Sequence, residues 1–302
     1  MINKYVSLVG ALLISFNLLG QEESLPQFDY NSITHPTIGT GGMVVSQRKL
    51  ASQVGVDILK KGGNAVDAAV ATALALAVVL PRAGNLGGGG FMLIYLAEEN
   101  KTLAIDYREM APSAAHRDLF LDVLGNYDRK KAQFSLLSAG VPGTVAGLSY
   151  ALEKYGTLSW KEVIDPSLRL AEDGFKVTHD LAKILSDYKD RLTSNKAFTE
   201  AYYKVNNESY RAGEIIKLPD LAWSLKQLQQ FGPDAFYKGE IAKRIVKEMK
   251  KNGGIMTPKD LSNYKVVERE PVQGNYKNYK VVSMPPSSSG GTHLIQMLNM
   301  LE

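Results

Sequence analysis

The sequence predicts an α/β fold, and three observations carry that class. A continuous apolar run, Phe91-Met92-Leu93-Ile94-Tyr95-Leu96, reads as a strand buried on both faces. A polar turn at Glu98-Glu99-Asn100-Lys101 leads from it into a second short strand, Leu103 to Tyr107, so the pair reads as a hairpin. Stretches with helical character surround the hairpin. They run from the nearly all-alanine, valine and leucine segment Val66 to Leu80 to the amphipathic stripes between residues 178 and 253.

In chain order, residues 1–20 read as a secretory signal peptide. Lys4 supplies the positive start, Tyr5 to Leu19 the apolar core, and Gly20 a small residue at the cut. The run is short for a membrane span, and Gln21-Glu22-Glu23-Ser24 ends it, so no stable span is expected. Residues 21–302 then form one domain, entered through an extended segment with Pro26 and Pro36. Met43-Val44-Val45 is a strand candidate. Leu50, Val54 and Ile58 mark one face of a helix that stops at Gly62-Gly63. Asn64 caps the next helix, with Asp67 three positions on.

Beyond the hairpin, Pro142-Gly143 opens a helix to about Tyr155, with Thr144 a first-turn residue. Gly156 stops it, and Trp160 to Asp173 is another helix. Leu181, Ile184, Leu185 and Tyr188 form one apolar stripe, Leu221, Leu225 and Leu228 a second, and Ile241, Ile245 and Met249 a third. All three read as core. Gly253-Gly254 ends the last of these helices, and Thr257-Pro258-Lys259-Asp260-Leu261 starts a short one. Tyr276 to Val282 is a strand, Pro285 to Gly291 a loop, and Thr292 begins a helix that runs to Glu302.

Composition narrows the function. The 302 residues are 45% hydrophobic and 22% charged, ordinary for a globular protein. A net charge of +4 is too weak and dispersed to argue for nucleic acid. With no cysteine, disulfides, thiolate catalysis and zinc-thiolate sites are excluded. The four histidines, His35, His116, His179 and His293, share no metal-ligand spacing, so no metal is expected.

The chemistry gathers around Gly87-Gly88-Gly89-Gly90 and Arg108. Four glycines without side chains let backbone approach backbone or ligand closely. A phosphate cradle is excluded by detail: no Lys-Ser or Lys-Thr follows, and the glycines lead into a strand rather than opening a helix. Arg108 stands where the second strand ends, beside Asp106 and Glu109. It can either pair with one of those acids or grip a ligand carboxylate with two parallel hydrogen bonds.

Long uninterrupted segments resemble the gamma-glutamyltranspeptidases, also called glutathione hydrolases. They are Ala83-Gly84-Asn85-Leu86-Gly87-Gly88-Gly89-Gly90-Phe91-Met92-Leu93 and Asp106-Tyr107-Arg108-Glu109-Met110-Ala111-Pro112. Ser46, the run Gly62 to Ala69, the run Gly140 to Gly147 and the segment from Met284 also fit the family pattern. That last segment carries Ser287 where the family has a proline. The resemblance covers about residues 37–302.

It implies an N-terminal nucleophile hydrolase-like αββα sandwich, of which this chain is the large-subunit part only. It places binding of the alpha-carboxylate of a gamma-glutamyl group on Arg108. It implies gamma-glutamyl acyl transfer and hydrolysis on substrates such as glutathione, passing the acyl group to water or an amino acid, with no cofactor. In such precursors a threonine cleaves its own chain and then acts as nucleophile and base together. That threonine belongs to a small subunit derived from the same precursor, expected beyond residue 302, so no catalytic residue is assigned here. Ser288, Ser289 and Thr292 are not that nucleophile, and Ser289 with His293 lacks a third group. The chain stops inside an apolar helical pattern without a stop signal, as an incomplete precursor would. The export signal implies a periplasmic or secreted location. The competing readings are a non-catalytic remnant and a related acylase acting on another amide.

Overall fold

The computed structural model describes residues 37–302, and residues 42–302 form one unit. The signal-peptide reading of residues 1–20 lies outside the described residues. The first helix, α1, is Lys49–Lys60, with Ala51, Val54, Gly55 and Ile58 buried. Leu50, expected on the buried stripe, is exposed, because the helix turns Ala51 inward instead. Gly62 ends the helix region in the left-handed conformation, at φ +92°.

Met43-Val44-Val45 is not a strand as expected. It pairs with no strand among the described residues, and Val44 instead packs on α1 at Gly55. A Cβ built on Gly55 would lie 2.8 Å from the Val44 side chain.

Helix α2, Ala65–Val79, starts as the sequence indicates. The Asn64 side chain accepts from the main-chain N–H groups of Val66 and Asp67, and the Asp67 carboxylate accepts from the Asn64 N–H. Its small apolar residues are buried nearly all round. It packs against α1 and against two later helices, α3 (Thr144–Tyr155) and α4 (Trp160–Asp173).

The hairpin is present as β1, Phe91–Leu96, and β2, Lys101–Asp106, antiparallel from Phe91 opposite Asp106 to Leu96 opposite Lys101. The expectation of a doubly buried β1 is corrected. Leu93 and Tyr95 are exposed and only Ile94 is buried, because β1 is the edge of its sheet. Burial falls on β2 instead, where Leu103 to Asp106 are all buried.

Two short strands that the sequence reading missed, β3 (Phe175–Lys176) and β4 (Ile215–Ile216), pair with each other. Three amphipathic helices follow the expected stripes: α5 (His179–Asp187), α6 (Pro219–Phe231) and α7 (Glu240–Lys251). Leu181, Leu185, Leu225, Leu228 and Ile241 are buried, whereas Tyr188 lies just past the end of α5 and is exposed. The short α8, Pro258–Ser262, is capped by Thr257 and Asp260.

A further unexpected strand, β5 (Val267–Arg269), joins the free side of β2 and completes a sheet of order β1-β2-β5. An unexpected strand, β6 (Val272–Tyr276), pairs with β7 (Tyr279–Ser283), which is the strand expected over Tyr276 to Val282 but starting later, because a turn with Lys277 at φ +51° occupies its first residues. The last helix, α9 (Gly290–Leu301), packs on that hairpin. No helix among the described residues is long and apolar enough to cross a membrane. Helices and sheets are thus mixed as the predicted α/β class requires.

Candidate functional site

The glycine run is built into the end of β2. Gly90 and Tyr107 exchange main-chain hydrogen bonds at 3.2 and 3.1 Å, extending the β1–β2 ladder by one pair. The Gly88 carbonyl accepts from the first N–H groups of α3, Gly143 at 2.7 Å and Thr144 at 2.9 Å. The space between is closed. A Cβ on Gly89 would meet the Tyr107 carbonyl at 2.5 Å, and one on Gly147 would meet the Tyr107 ring at 2.1 Å. The glycines therefore serve backbone approach, wrapping Tyr107 between the hairpin and α3. Burial raises the Tyr107 pKa above the ordinary tyrosine value, so it stays a neutral phenol that donates to the Phe91 carbonyl at 3.3 Å.

Arg108 follows directly and is exposed. Its main chain is clamped on both sides. Its N–H donates to Asp106 Oδ1 at 3.0 Å, and its carbonyl accepts from the Tyr264 hydroxyl at 2.8 Å. Tyr264 stacks on Tyr237 at a centroid distance of 5.8 Å, and the Tyr237 hydroxyl in turn donates to the Pro142 carbonyl at 2.9 Å. Burial raises the pKa of both phenols, so both remain donors at any ordinary pH.

The alternative in which Arg108 pairs with Asp106 or Glu109 is not what the structure has. Asp106 pairs with Arg269 on β5, Nε to Oδ2 at 2.8 Å, and Arg108 has no ion pair among the described residues. The Arg108 guanidinium lies 5.9 Å from the Phe91 ring centroid and spends one donor, Nη1, on the Ser287 carbonyl at 3.2 Å. Its other edge has no partner among the described residues. A guanidinium fixed at its root with an uncommitted edge is suited to a planar anion such as a carboxylate.

Arg108 lines a cavity of about 660 Å³ with Gly89, Gly90, Phe91, Glu109 and the 287–289 loop. This gathers the glycine run, the arginine and the proline-serine-glycine segment, which are far apart in sequence. Thr144 is buried in the first turn of α3, and its hydroxyl is 3.4 Å from Asn85 Oδ1. Ser289 and His293 meet only through the helical bond from the His293 N–H to the Ser289 carbonyl, 2.9 Å. The described residues hold no cluster of three metal-ligating side chains.

The sequence reading missed Arg269. Its only signal would have been the pairing of β5 with β2, which a three-residue strand does not announce. Ser287 was visible as a departure from the family motif, although the hydrogen bond its hydroxyl donates to Asp106 Oδ2 at 3.3 Å was not.

Residues 51–302 match the family model described as Gamma-glutamyltranspeptidase. The chain is 52% identical over 270 residues to the Glutathione hydrolase proenzyme of Escherichia coli (strain K12), covering 89% of this chain and 46% of that protein. It is 43% identical over 287 residues to the protein of the same name from Pseudomonas sp. (strain A14), covering 94% and 50%. The chain therefore spans about half the length of the curated relatives it matches. Among solved structures it superposes on Helicobacter pylori gamma-Glutamyltranspeptidase with a TM-score of 0.86 at 44% identity, covering 88% of this chain and 76% of that one.

Proposed function

Because the chain belongs to the gamma-glutamyltranspeptidase family, we propose that it is the large-subunit portion of an enzyme that transfers or hydrolyses gamma-glutamyl groups. Glutathione is the type of substrate, and Arg108 holds its alpha-carboxylate. The observation that carries this reading is the uncommitted edge of Arg108 on the cavity it shares with Gly89, Gly90 and the 287–289 loop. The free alpha-carboxylate of a gamma-glutamyl amide lies at the end of the acyl group away from the leaving amine. Gripping it there sets the gamma-carbonyl in one orientation, so binding energy becomes alignment.

The nucleophile is a threonine of a small subunit from the same precursor; its hydroxyl attacks the gamma-carbonyl. The amide C–N bond breaks, and the departing nitrogen takes the proton released by the hydroxyl. A gamma-glutamyl ester remains, and water or the amine of an amino acid displaces the threonine, returning its proton. The names of the relatives as proenzymes support a partner subunit. The apolar segment at residues 5–19 supports export to the periplasm or medium.

The test uses the processed two-subunit enzyme. Turnover of a gamma-glutamyl anilide is compared with that of an analogue whose alpha-carboxylate is amidated, in the parent and in Arg108→Gln. The parent should strongly prefer the free acid, and Arg108→Gln should lose that preference while its subunits still form in equal amounts. A fully processed Arg108→Gln with the parent's preference removes Arg108 from the site.

A further inference from the structure

Asp106 and Arg108 are opposite charges two residues apart at a strand end, yet their side chains do not pair. The Asp106 side chain is 8% exposed. Its carboxylate accepts from Arg269 Nε at 2.8 Å, from the Ser287 hydroxyl at 3.3 Å and from the Arg108 main-chain N–H at 3.0 Å. Arg269 reaches it because β5 pairs with β2 so that Arg269 stands opposite Ala104, which shares a sheet face with Asp106. Ser287 touches both partners, its hydroxyl on Asp106 and its carbonyl on Arg108 Nη1 at 3.2 Å. Proline, which the family motif has at this place, carries no hydroxyl and could not make the first of these bonds.

We propose that Asp106, Arg269 and Ser287 are positioning residues that keep Arg108 free for an anionic ligand. Arg269 satisfies the carboxylate that would otherwise compete for the Arg108 guanidinium. Asp106, so neutralised, holds the Arg108 main chain, and Ser287 ties the cavity loop to the same charge pair. The proposal rests on the reading of Arg108 given above. Without Arg269, a buried carboxylate next to the guanidinium would both compete for its donors and repel the incoming carboxylate of the ligand.

The experiment measures KM and kcat of the processed enzyme on a gamma-glutamyl anilide and on its alpha-amidated analogue. The variants are Arg269→Gln, Asp106→Asn, the two combined, and Ser287→Ala, with Arg108→Gln as control. Arg269→Gln should raise KM for the acid about tenfold or more while changing KM for the amidated analogue far less. Adding Asp106→Asn removes the exposed competitor and should bring KM back to within about threefold of the parent. Removing an unpaired buried carboxylate would restore stability as well, so the deciding readout is the ratio of KM for the acid to KM for the amidated analogue, which a purely structural pair would not move. Ser287→Ala should raise KM for the acid about threefold, the loss of one hydrogen bond.

A parental KM in Arg269→Gln, or a double variant as impaired as the single one, overturns the proposal and leaves the role of Arg108 intact. If Arg269→Gln does not accumulate in processed form, the double variant decides alone: a near-parental KM supports the proposal and a raised one overturns it. An Arg108→Gln control that keeps the parent's preference for the free acid overturns the functional reading, and this proposal with it.

Discussion

At the residue scale, the site is organised by what surrounds Arg108 rather than by a contact of its own charge. Its main chain is held by Asp106 and Tyr264, and among the described residues only one guanidinium donor has a partner. Lysine would keep the charge but lose the planar fork. Arg108→Lys is therefore expected to raise KM for gamma-glutamyl substrates about tenfold or more, and Arg108→Gln further still, with self-cleavage unchanged. Steady-state kinetics beside a gel of the subunit ratio checks this. Parental KM values in Arg108→Lys would mean that charge alone suffices.

The glycines around Tyr107 act at the same scale. A Cβ on Gly143 would lie 2.0 Å from the Tyr107 carbonyl and 2.1 Å from the Tyr264 hydroxyl. Gly143→Ala must push the Tyr264 bond off the Arg108 carbonyl. It is expected to destabilise the protein by about 1–3 kcal/mol in urea unfolding and to raise KM at the same time. Unchanged stability would show that this junction can relax.

At the scale of elements, carboxylates in the first turns of helices tie those helix starts to distant loops. Asp67 is fully buried in the first turn of α2, yet it faces no cation among its hydrogen-bond partners. It accepts from the Asn64, Thr157 and Leu158 main-chain N–H groups and from the Thr157 hydroxyl. Burial alone would raise its pKa, but these donors outweigh burial and hold it below the usual carboxylate range. Asp67→Ala orphans several buried donors and is expected to cost about 3 kcal/mol or more in an unfolding titration.

Asp260 does the same for α8, bonding Thr257 and reaching the Ser113 N–H at 2.8 Å. Burial opposes ionisation there too, but the Thr257 hydroxyl and the Ser113 N–H prevail and bring its pKa from 3.8 to about 2. A depressed folded-state value means that the unfolded chain takes up the proton first. The contribution is therefore present above pH 3.8 and is lost as pH falls toward 2. Thermal unfolding of the parent and Asp260→Asn across this window should converge as pH drops. Curves that stay parallel would deny Asp260 this role.

At the scale of the whole molecule, the chain presents the arginine proposed to hold the alpha-carboxylate, with no nucleophile assigned to it. The 302-residue chain expressed alone is therefore expected to show no turnover of a gamma-glutamyl anilide. Turnover by material free of host enzyme would bring the nucleophile into this chain, with Ser289 and His293 the first to be replaced. Mass spectrometry of the protein from its native cell should find the N-terminus near Gln21, whereas an intact Met1 would deny export.

Local chemistry was legible in the residues themselves: the Asn64–Asp67 cap, the glycine stops at Gly62 and Gly253, the span of α4 and the β1–β2 hairpin all depend on neighbours within a few positions. The role expected of Arg108 came from the motif that contains it. Tertiary structure alone decided which strand is central. An apolar run records a preference for burial but not the number of partners, so β1 became the edge while β2 took β5 on its far side. It also decided that Asp106 belongs to Arg269, 163 residues away, and not to its neighbour Arg108. Side chains two apart on a strand share a face, but a partner brought across the sheet by register can satisfy the carboxylate first, and sequence spacing carries no trace of that register.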